Sequence, residues 1–259
     1  MTTSRYMLHL AYRGTNFSGW QIQPNANSVQ ETLTAALQQL LRQEIEIVGC
    51  GRTDAGVHAR SYYIHFDCEG DLPTNLVYRL NRILPTDIAI YELLTAIPQD
   101  THARYSACSR AYQYHIHFAK DPFLQGLSYY YPQKLPDLGL MQKAATLLLQ
   151  YNNFPMFCKT DSDAQHYLCD LRHAEWKEEI GHKGIVFEIE ANRFLRGMVR
   201  LIVGSLLMVG EKKISLDEYE ATLAQVLPKF KTYNLSVPPE GLYLSRVVYP
   251  FQVEQSNVL

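Results

Sequence analysis

Residues 51–59 read GRTDAGVHA and separate two runs of strand-like residues. Apolar residues alternate with polar ones on both sides, as they do in two strands joined by a tight connection. These residues are Ile45, Ile47 and Val48 before the stretch and Tyr62, Ile64 and Phe66 after it. Gly51 and Gly56 permit backbone angles that other residues avoid, so the loop can hold a fixed shape around the Asp54 carboxylate, with Arg52 beside it. We interpret the stretch as an active loop. A solvated hairpin turn is the alternative, because Asp next to Gly is common in turns.

Hydrophobic periodicity predicts the order β-α-β-β-α-β for residues 1–102 and a broadly similar order for residues 103–259. Strands are predicted at residues 5–13, 45–48, 62–66, 88–94, 104–118, 174–179, 185–191 and 242–249, and helices at residues 29–41, 73–84, 138–151, 194–209 and 216–226. We therefore predict the α+β class, with two ferredoxin-like (split β-α-β) halves. These halves are expected to form a pseudo-symmetric antiparallel sheet with helices on one face and a central cleft in which a ligand pocket can form.

The composition, with 47% hydrophobic and 19% charged residues in a chain of 259, is typical of a globular protein. The longest apolar run, residues 201–209, is too short to span a bilayer, and the first residues do not read as a signal peptide. We therefore expect a soluble, cytoplasmic protein with no membrane segment. The cysteines are odd in number and form no CxxC pair, so we expect small apolar fillers rather than disulfides or a zinc site. They are Cys50, Cys68, Cys108, Cys158 and Cys169.

The net charge of -2 means that any contact with RNA must come from a local basic surface rather than from an overall field. Arginines do cluster along the chain. Arg79 and Arg82 fall on one short predicted helix, and Arg193, Arg196 and Arg200 recur at intervals of three and four. Clusters of this kind are the local basic surface that RNA contact would require, and solvated helical faces are the alternative.

Arg200 stands among apolar residues at the edge of the helix predicted at residues 194–209. A guanidinium held there needs an anion, because removing one member of a buried ion pair costs about 3 to 5 kcal/mol. Asp54 is the natural candidate, since an adjacent arginine keeps a carboxylate ionised, as a nucleophile requires. The alternative is that Arg200 extends its charged end into water.

Tyr112 falls on the apolar face of the strand predicted at residues 104–118. A tyrosine in that position is more often part of the core than functional. His115 and His117 share the other face of the strand, but no carboxylate or cysteine lies at a recognisable ligand spacing from them. We therefore expect no metal site.

Four blocks of the chain, in the same order, resemble the tRNA pseudouridine synthase A family. They are AYRGTNFSGWQ at residues 11–21, GRTDAGVHA at 51–59, HARYSACSRAYQY at 102–114, and the pair ANRFLRGMVRLIVG at 191–204 and GLYLSRVVYP at 241–250. The chain departs from the family pattern at Arg13, Ala111, Gly197 and Leu201, where the family usually has Asp, a basic residue, His and Asn. These departures affect expected tRNA contacts rather than the chemistry.

The resemblance implies an isomerase that converts uridine to pseudouridine at positions 38, 39 and 40 of the tRNA anticodon stem and loop. It implies that Asp54 is the nucleophile, attacking either C1′ of the ribose or C6 of the ring, and that Arg200 pairs with it. Tyr112 is then expected to stack on the target base, and Leu244 to line an apolar pocket. The candidates for phosphate contacts are Arg52, Arg79, Arg82, Arg104 and Arg110. The resemblance further implies no cofactor, and a homodimer that binds the anticodon arm across both subunits.

Two other functions fit parts of the sequence. A noncatalytic tRNA-binding protein or chaperone would use the same arginines and aromatic residues. An aspartate-dependent phosphohydrolase would need magnesium ligands, and no second carboxylate lies near Asp54 in the sequence.

Overall fold

The computed structural model describes residues 3–159, 165–179, 184–227 and 235–251, and in these residues the chain forms nine strands and five α-helices. The strands are β1 Thr3–Tyr12, β2 Ile47–Gly49, β3 His58–Glu69, β4 Ile88–Leu94, β5 Ser109–His117, β6 Tyr129–Tyr130, β7 Leu171–Glu179, β8 Gly184–Ala191 and β9 Leu242–Val248. The helices are α1 Val29–Leu41, α2 Leu76–Ile83, α3 Leu138–Leu148, α4 Met198–Gly210 and α5 Leu216–Leu223. The predicted α+β class is confirmed. No helix among the described residues is both long and apolar enough to serve as a membrane span.

Contacts divide the chain into two compact units. The first comprises Met1–Cys108 and Tyr243–Leu259, and the second comprises Ser109–Leu242. The final strand β9 therefore groups with the N-terminal part of the chain. The halves predicted from the sequence, residues 1–102 and 103–259, placed that strand with the C-terminal part. The division of the chain into these two functional halves stays a prediction.

The sheet of the first unit has the order β4-β1-β3-β9, and β2 also pairs with β3. β1 runs antiparallel to both β3 and β4. The predicted order β-α-β-β-α-β over β1 to β4 is confirmed. The expectation of an entirely antiparallel sheet is wrong, because β9 runs parallel to β3, with His58 opposite Tyr243 and Ala59 opposite Leu244. A parallel pair needs a long connection, and here the whole second unit lies between the two strands in sequence.

Helix α1 illustrates how local sequence sets an element of this unit. The Ser28 side chain accepts a hydrogen bond from the backbone N–H of Glu31, which caps the first turn. An apolar stripe at helical spacing is buried, and Arg42 ends the helix in the left-handed conformation, with φ of 55°. The buried stripe residues are Val29, Leu33, Ala36 and Leu37.

In the second unit, β8 lies between β5 and β7 and pairs antiparallel with both, while β6 pairs parallel with β5. The helix predicted at residues 194–209 begins later, at Met198, because Gly197 adopts a left-handed φ of 71°. Most of α4 is buried. Residues 160–164 and 180–183 of this unit lie outside the described residues.

The strand predicted to start at residue 104 is also shorter, since β5 begins at Ser109. His102 explains the difference. Its ring Nδ1 accepts hydrogen bonds from the backbone N–H groups of Arg104 and Tyr105, at 3.2 and 3.4 Å, and its carbonyl accepts one from Ser106. Residues 102–106 therefore form a turn held by a side chain, which hydrophobic periodicity does not reveal.

The five cysteines, all among the described residues, form no disulfide, and Cys50, Cys68, Cys158 and Cys169 are buried as small apolar fillers. Cys108 is exposed, so the expectation was wrong for that residue.

Candidate active site

Asp54 lies in the connection between β2 and β3 and is half-buried. The backbone N–H of Val57 donates to the Asp54 carbonyl at 3.2 Å and closes a turn directly after the carboxylate. Gly56 occupies the left-handed region in this turn, with φ of 78°, where a side chain is disfavoured. Gly51 does not adopt a positive φ, so the predicted conformational role of glycine is confirmed at Gly56 and wrong at Gly51.

A second segment, residues 13–20, packs its backbone directly against this loop. The Trp20 N–H donates to the Thr53 carbonyl at 3.2 Å, and the Gly56 N–H donates to the Phe17 carbonyl at 3.3 Å. A Cβ on Gly19 would lie 2.6 Å from the Thr53 carbonyl oxygen, and Gly19 itself has a φ of 95°. The segment at residues 11–21, one of those that resemble the family, thus packs against the loop at residues 51–59 and holds it in place.

His58 ties the same segment to the start of β3. The Gly14 backbone N–H donates to His58 Nδ1 at 3.0 Å, so the neutral ring carries its proton on Nε2. The His58 ring stacks on the Tyr243 ring with a centroid distance of 4.5 Å, and the guanidinium carbon of Arg60 lies 4.9 Å from the centroid of the Tyr243 ring. This arrangement places a cation and two flat rings at the pairing of β3 with β9.

Leu244 follows Tyr243 on β9, opposite Ala59 of β3, and is 1% exposed. The parallel pairing therefore brings this predicted pocket residue to the strand that begins four residues after Asp54. Because Leu244 and Ala59 are far apart in the sequence, no sequence pattern reveals that they are neighbours in the sheet.

The predicted phosphate contacts of the first unit lie in three places. Arg52 is exposed in the loop itself, beside Asp54. Arg79 and Arg82 both lie on α2, as predicted, with Arg79 half-buried and Arg82 exposed. Arg104 is exposed in the turn before β5, where its guanidinium lies 5.6 Å from the centre of the Tyr105 ring.

Tyr112 of the second unit is half-buried on β5, opposite Ile189 of β8. Its ring contacts the ring of Phe194 edge-on, with 5.1 Å between the ring centroids and an angle of 89° between the ring planes. Arg110 lies two residues earlier on the same strand, is half-buried, and donates from its guanidinium to the Asn192 carbonyl at 3.1 Å. The segment that follows β8 therefore supports both predicted substrate-binding residues of β5.

Arg200 lies in the first turn of α4 and is half-buried. Its Nε donates to the Val237 carbonyl at 2.7 Å, and this bond anchors the guanidinium. Nearby, the Tyr114 hydroxyl donates to the Pro238 carbonyl at 2.7 Å, and burial raises the pKa of this phenol, with the charge of Glu240 adding to the effect. Residues 237 and 238 thus receive one bond from α4 and one from β5. The pairing of Arg200 with Asp54 remains a prediction.

A family model described as tRNA pseudouridine synthase matches residues 9–106 and 144–250 of this chain. The chain belongs to this family. It is 43% identical over 255 residues to the tRNA pseudouridine synthase A of Bacteroides fragilis, covering 98% of this chain and 99% of that protein. It is 44% identical to the protein of the same name from Bacteroides thetaiotaomicron, over 95% of this chain and 91% of that protein. It is 42% identical to that of Porphyromonas gingivalis, over 95% of this chain and 98% of that protein.

The two matched ranges contain Asp54, Arg200 and Leu244, and they leave out Arg110 and Tyr112, which lie between them. The resemblance of the block at residues 102–114 is therefore supported by the family model only up to residue 106. The full-length relatives cover the rest.

A group of metal-binding side chains occurs among the described residues at His173, Glu175 and Glu188, whose candidate ligand atoms lie within 4.8 Å of one another. The Lys177 ammonium lies 2.6 Å from a Glu188 oxygen and 3.2 Å from a Glu175 oxygen. Because this cation pairs with both carboxylates, we interpret the group as an ion-pair network across β7 and β8.

The sequence did not reveal the residues that hold the Asp54 loop in place. Tyr12 and Gly14 contact this loop from residues 11–21, and His58, inside the loop, accepts the hydrogen bond from Gly14; the sequence assigned no role to any of the three. Tyr62 also contacts it, from β3. Their alternation marked Tyr12 and Tyr62 only as strand residues.

Proposed function

We propose that this protein isomerises uridine to pseudouridine at positions 38, 39 and 40 in the anticodon stem and loop of tRNA, with Asp54 as the nucleophile. Membership of the tRNA pseudouridine synthase family, over almost the whole chain, is the observation that carries the proposal. It identifies the chain as a pseudouridine synthase, an isomerase. The rigid support of the Asp54 loop favours this residue as the reacting group, because a nucleophile must be held in a fixed attack geometry.

The proposed reaction is redox-neutral and conserves all atoms of the nucleotide. Asp54 attacks C1′ of the ribose or C6 of the uracil, and the bond between N1 and C1′ breaks. The uracil turns, C5 bonds to C1′, the proton on C5 leaves, and N1 gains a proton. Asp54 is released at the end of the cycle, so the chemistry calls for no external group.

The other candidate residues are proposed to act on the same uridine. Tyr112 stacks on the target base once it has left the helix, a contact worth about 1 to 3 kcal/mol. Arg200 pairs with Asp54, and Leu244 contacts the base through its apolar side chain. The proposed phosphate contacts are Arg52, Arg79, Arg82, Arg104 and Arg110.

The remaining parts of the proposal concern assembly. We propose a homodimer that binds one anticodon arm across both subunits, as the family resemblance implies. Sedimentation of the purified protein with and without tRNA tests this part separately from the chemistry. A monomer that is fully active on tRNA would contradict it.

The decisive experiment replaces Asp54 with Asn and maps pseudouridine, with single-nucleotide resolution, in unmodified tRNA. The matched control is Asp71→Asn, a change of the same kind at an exposed residue of the same unit. We expect wild-type protein and the control to modify positions 38 to 40, and Asp54→Asn to lose at least about 10³-fold in rate. Wild-type modification by folded Asp54→Asn protein would refute the role of Asp54.

The same assay separates the alternative functions. A noncatalytic tRNA-binding protein or chaperone would bind the transcript and leave every uridine unchanged. A magnesium-dependent phosphohydrolase would lose its activity in a chelator, whereas we expect pseudouridine formation to continue under conditions in which the tRNA itself stays folded.

A further inference from the structure

Two buried tyrosines make hydrogen bonds to the residues that precede Asp54. Tyr62 of β3 is fully buried, and its hydroxyl donates to the Gly51 carbonyl at 2.5 Å. Tyr12, at the end of β1, is 4% exposed, and its hydroxyl shares a hydrogen bond of 2.9 Å with Thr53 Oγ1. The loop is thus held from the core at two points, three residues and one residue before the carboxylate.

The two rings belong to one aromatic cluster that leaves little room for movement. Tyr62 lies 4.3 Å from Trp20 and 5.3 Å from Tyr12, between ring centres. A Cβ on Gly49 would lie 2.2 Å from the Tyr62 hydroxyl and 2.6 Å from the Trp20 ring, so this glycine provides the space that the cluster occupies. Rings packed in this way cannot rotate freely, and their hydroxyls are therefore fixed points.

Trp20 adds a third attachment to the same short segment. Its backbone N–H donates to the Thr53 carbonyl at 3.2 Å, while the Thr53 side chain bonds to Tyr12. Thr53 is consequently held through both its backbone and its side chain. The residue that follows it is the proposed nucleophile.

We propose that Tyr62 and Tyr12 are positioning residues, which set the location of the Asp54 carboxylate through Gly51 and Thr53. This inference rests on the proposed role of Asp54 as nucleophile. An attacking group gains its advantage from being held near the attack geometry before the substrate arrives, and an error of about 1 Å can cost about 10²-fold in rate. The two phenols act through the loop and do not touch the substrate.

A purely structural role makes a different prediction, which a third tyrosine can test. The Tyr249 hydroxyl donates to the Ala103 carbonyl at 2.6 Å, and this residue is also buried in the first unit. Tyr62→Phe and Tyr249→Phe each remove the hydroxyl of a buried tyrosine and its hydrogen bond to one backbone carbonyl, that of the half-buried Gly51 and that of the buried Ala103. They should therefore reduce stability by similar amounts, whereas only Tyr62 holds the Asp54 loop.

The experiment compares kcat and KM on an anticodon stem-loop RNA, together with the thermal unfolding temperature of each variant. We expect Tyr62→Phe to lower kcat about 10- to 100-fold with KM unchanged, and Tyr249→Phe to keep the wild-type kcat. Tyr12→Phe should also lower kcat. Combined with Tyr62→Phe it should lower kcat by less than the product of the single effects, since both changes loosen one loop.

A second pair of variants leaves the aromatic cluster intact, in case the phenylalanine variants fold poorly. Thr53→Val removes the hydroxyl that bonds to Tyr12, and Thr53→Ser keeps it. We expect kcat to fall in the first and to be restored in the second. Equal kcat values in these two variants, or a wild-type kcat in folded Tyr62→Phe protein, would overturn the inference.

The outcomes for Asp54 and for the tyrosines can be told apart. An inactive Asp54→Asn with a fully active Tyr62→Phe would refute the positioning role alone. A fully active Asp54→Asn would refute the proposed nucleophile, whatever the tyrosine variants do. An equal loss of kcat in Tyr249→Phe would show that general loosening of the unit, rather than support of the loop, lowers the rate.

Discussion

Gly14 lies where two backbones approach each other most closely beside the Asp54 loop, and its replacement by alanine should disturb catalysis. A Cβ at this position would lie 2.0 Å from the Val57 carbonyl oxygen and 2.7 Å from the Val57 carbonyl carbon. Ordinary van der Waals contact begins near 3.4 Å, so the two backbone segments must separate by about 1.4 Å to accept the methyl group. Gly14 does not adopt a positive φ, so space is the only obstacle.

The displacement of Val57 would be transmitted to Asp54 through the turn that joins the two residues. The Val57 N–H donates to the Asp54 carbonyl, and the Gly14 N–H donates to the His58 ring, so moving Val57 strains both bonds. A displacement of this size exceeds the 1 Å that costs about 10²-fold in rate, and we expect kcat to fall about 100-fold. Overpacking should also lower the free energy of unfolding by about 1 to 3 kcal/mol.

The assay is single-turnover formation of pseudouridine on an anticodon stem-loop RNA, with urea unfolding of the same preparations. Gly139→Ala is the control, because that glycine lies in the first turn of α3 and the nearest atom to a new Cβ would be Asp137 Oδ1, at 3.4 Å. We expect this control to keep both activity and stability. A folded Gly14→Ala protein with the wild-type rate would refute the coupling between residues 13–20 and the loop.

Two further predictions concern stability. Gly204→Ala should destabilise the second unit by at least about 1 to 3 kcal/mol in urea unfolding, since the new Cβ on α4 would lie 1.8 Å from the Leu235 carbonyl oxygen; unchanged unfolding would contradict this packing. Burial lowers the pKa of His9 to about 4, and burial together with the nearby Arg5 charge lowers that of His65 to about 4. Because unfolded histidine has a pKa of about 6.5, the unfolded chain binds more protons between these values. The unfolding temperature should therefore fall as the pH drops from 6.5 towards 4, and an unfolding temperature that rises over this range would contradict the lowered pKa values of His9 and His65.

The sequence predicted the elements whose signals are local. Helix α1 was expected at residues 29–41 and found at Val29–Leu41, because a Ser28 cap and an apolar stripe at helical spacing are both readable without knowing the fold. The turn at residues 102–106 was missed because a histidine ring, rather than a glycine or proline, satisfies its backbone.

For the candidate site, sequence alone identified the family and the candidate residues. Asp54 in its loop, the arginines of α2 and the apolar Leu244 were all identifiable from short motifs. Their environment was not. Tyr12 and Tyr62 read as ordinary alternating strand residues, and nothing in their spacing predicts that their hydroxyls bond to the residues before Asp54.

The amino-acid order thus determined most of the helices and strands, and it indicated the loop that holds the proposed nucleophile Asp54, because these properties depend on neighbours within a few residues. Tertiary structure alone decided that β9 returns to pair with β3, that Gly14 contacts Val57, and that two phenols support the loop. Such contacts join residues far apart in the chain. They form only when burial of apolar surface brings whole elements together, and no local pattern records which partner an element will find.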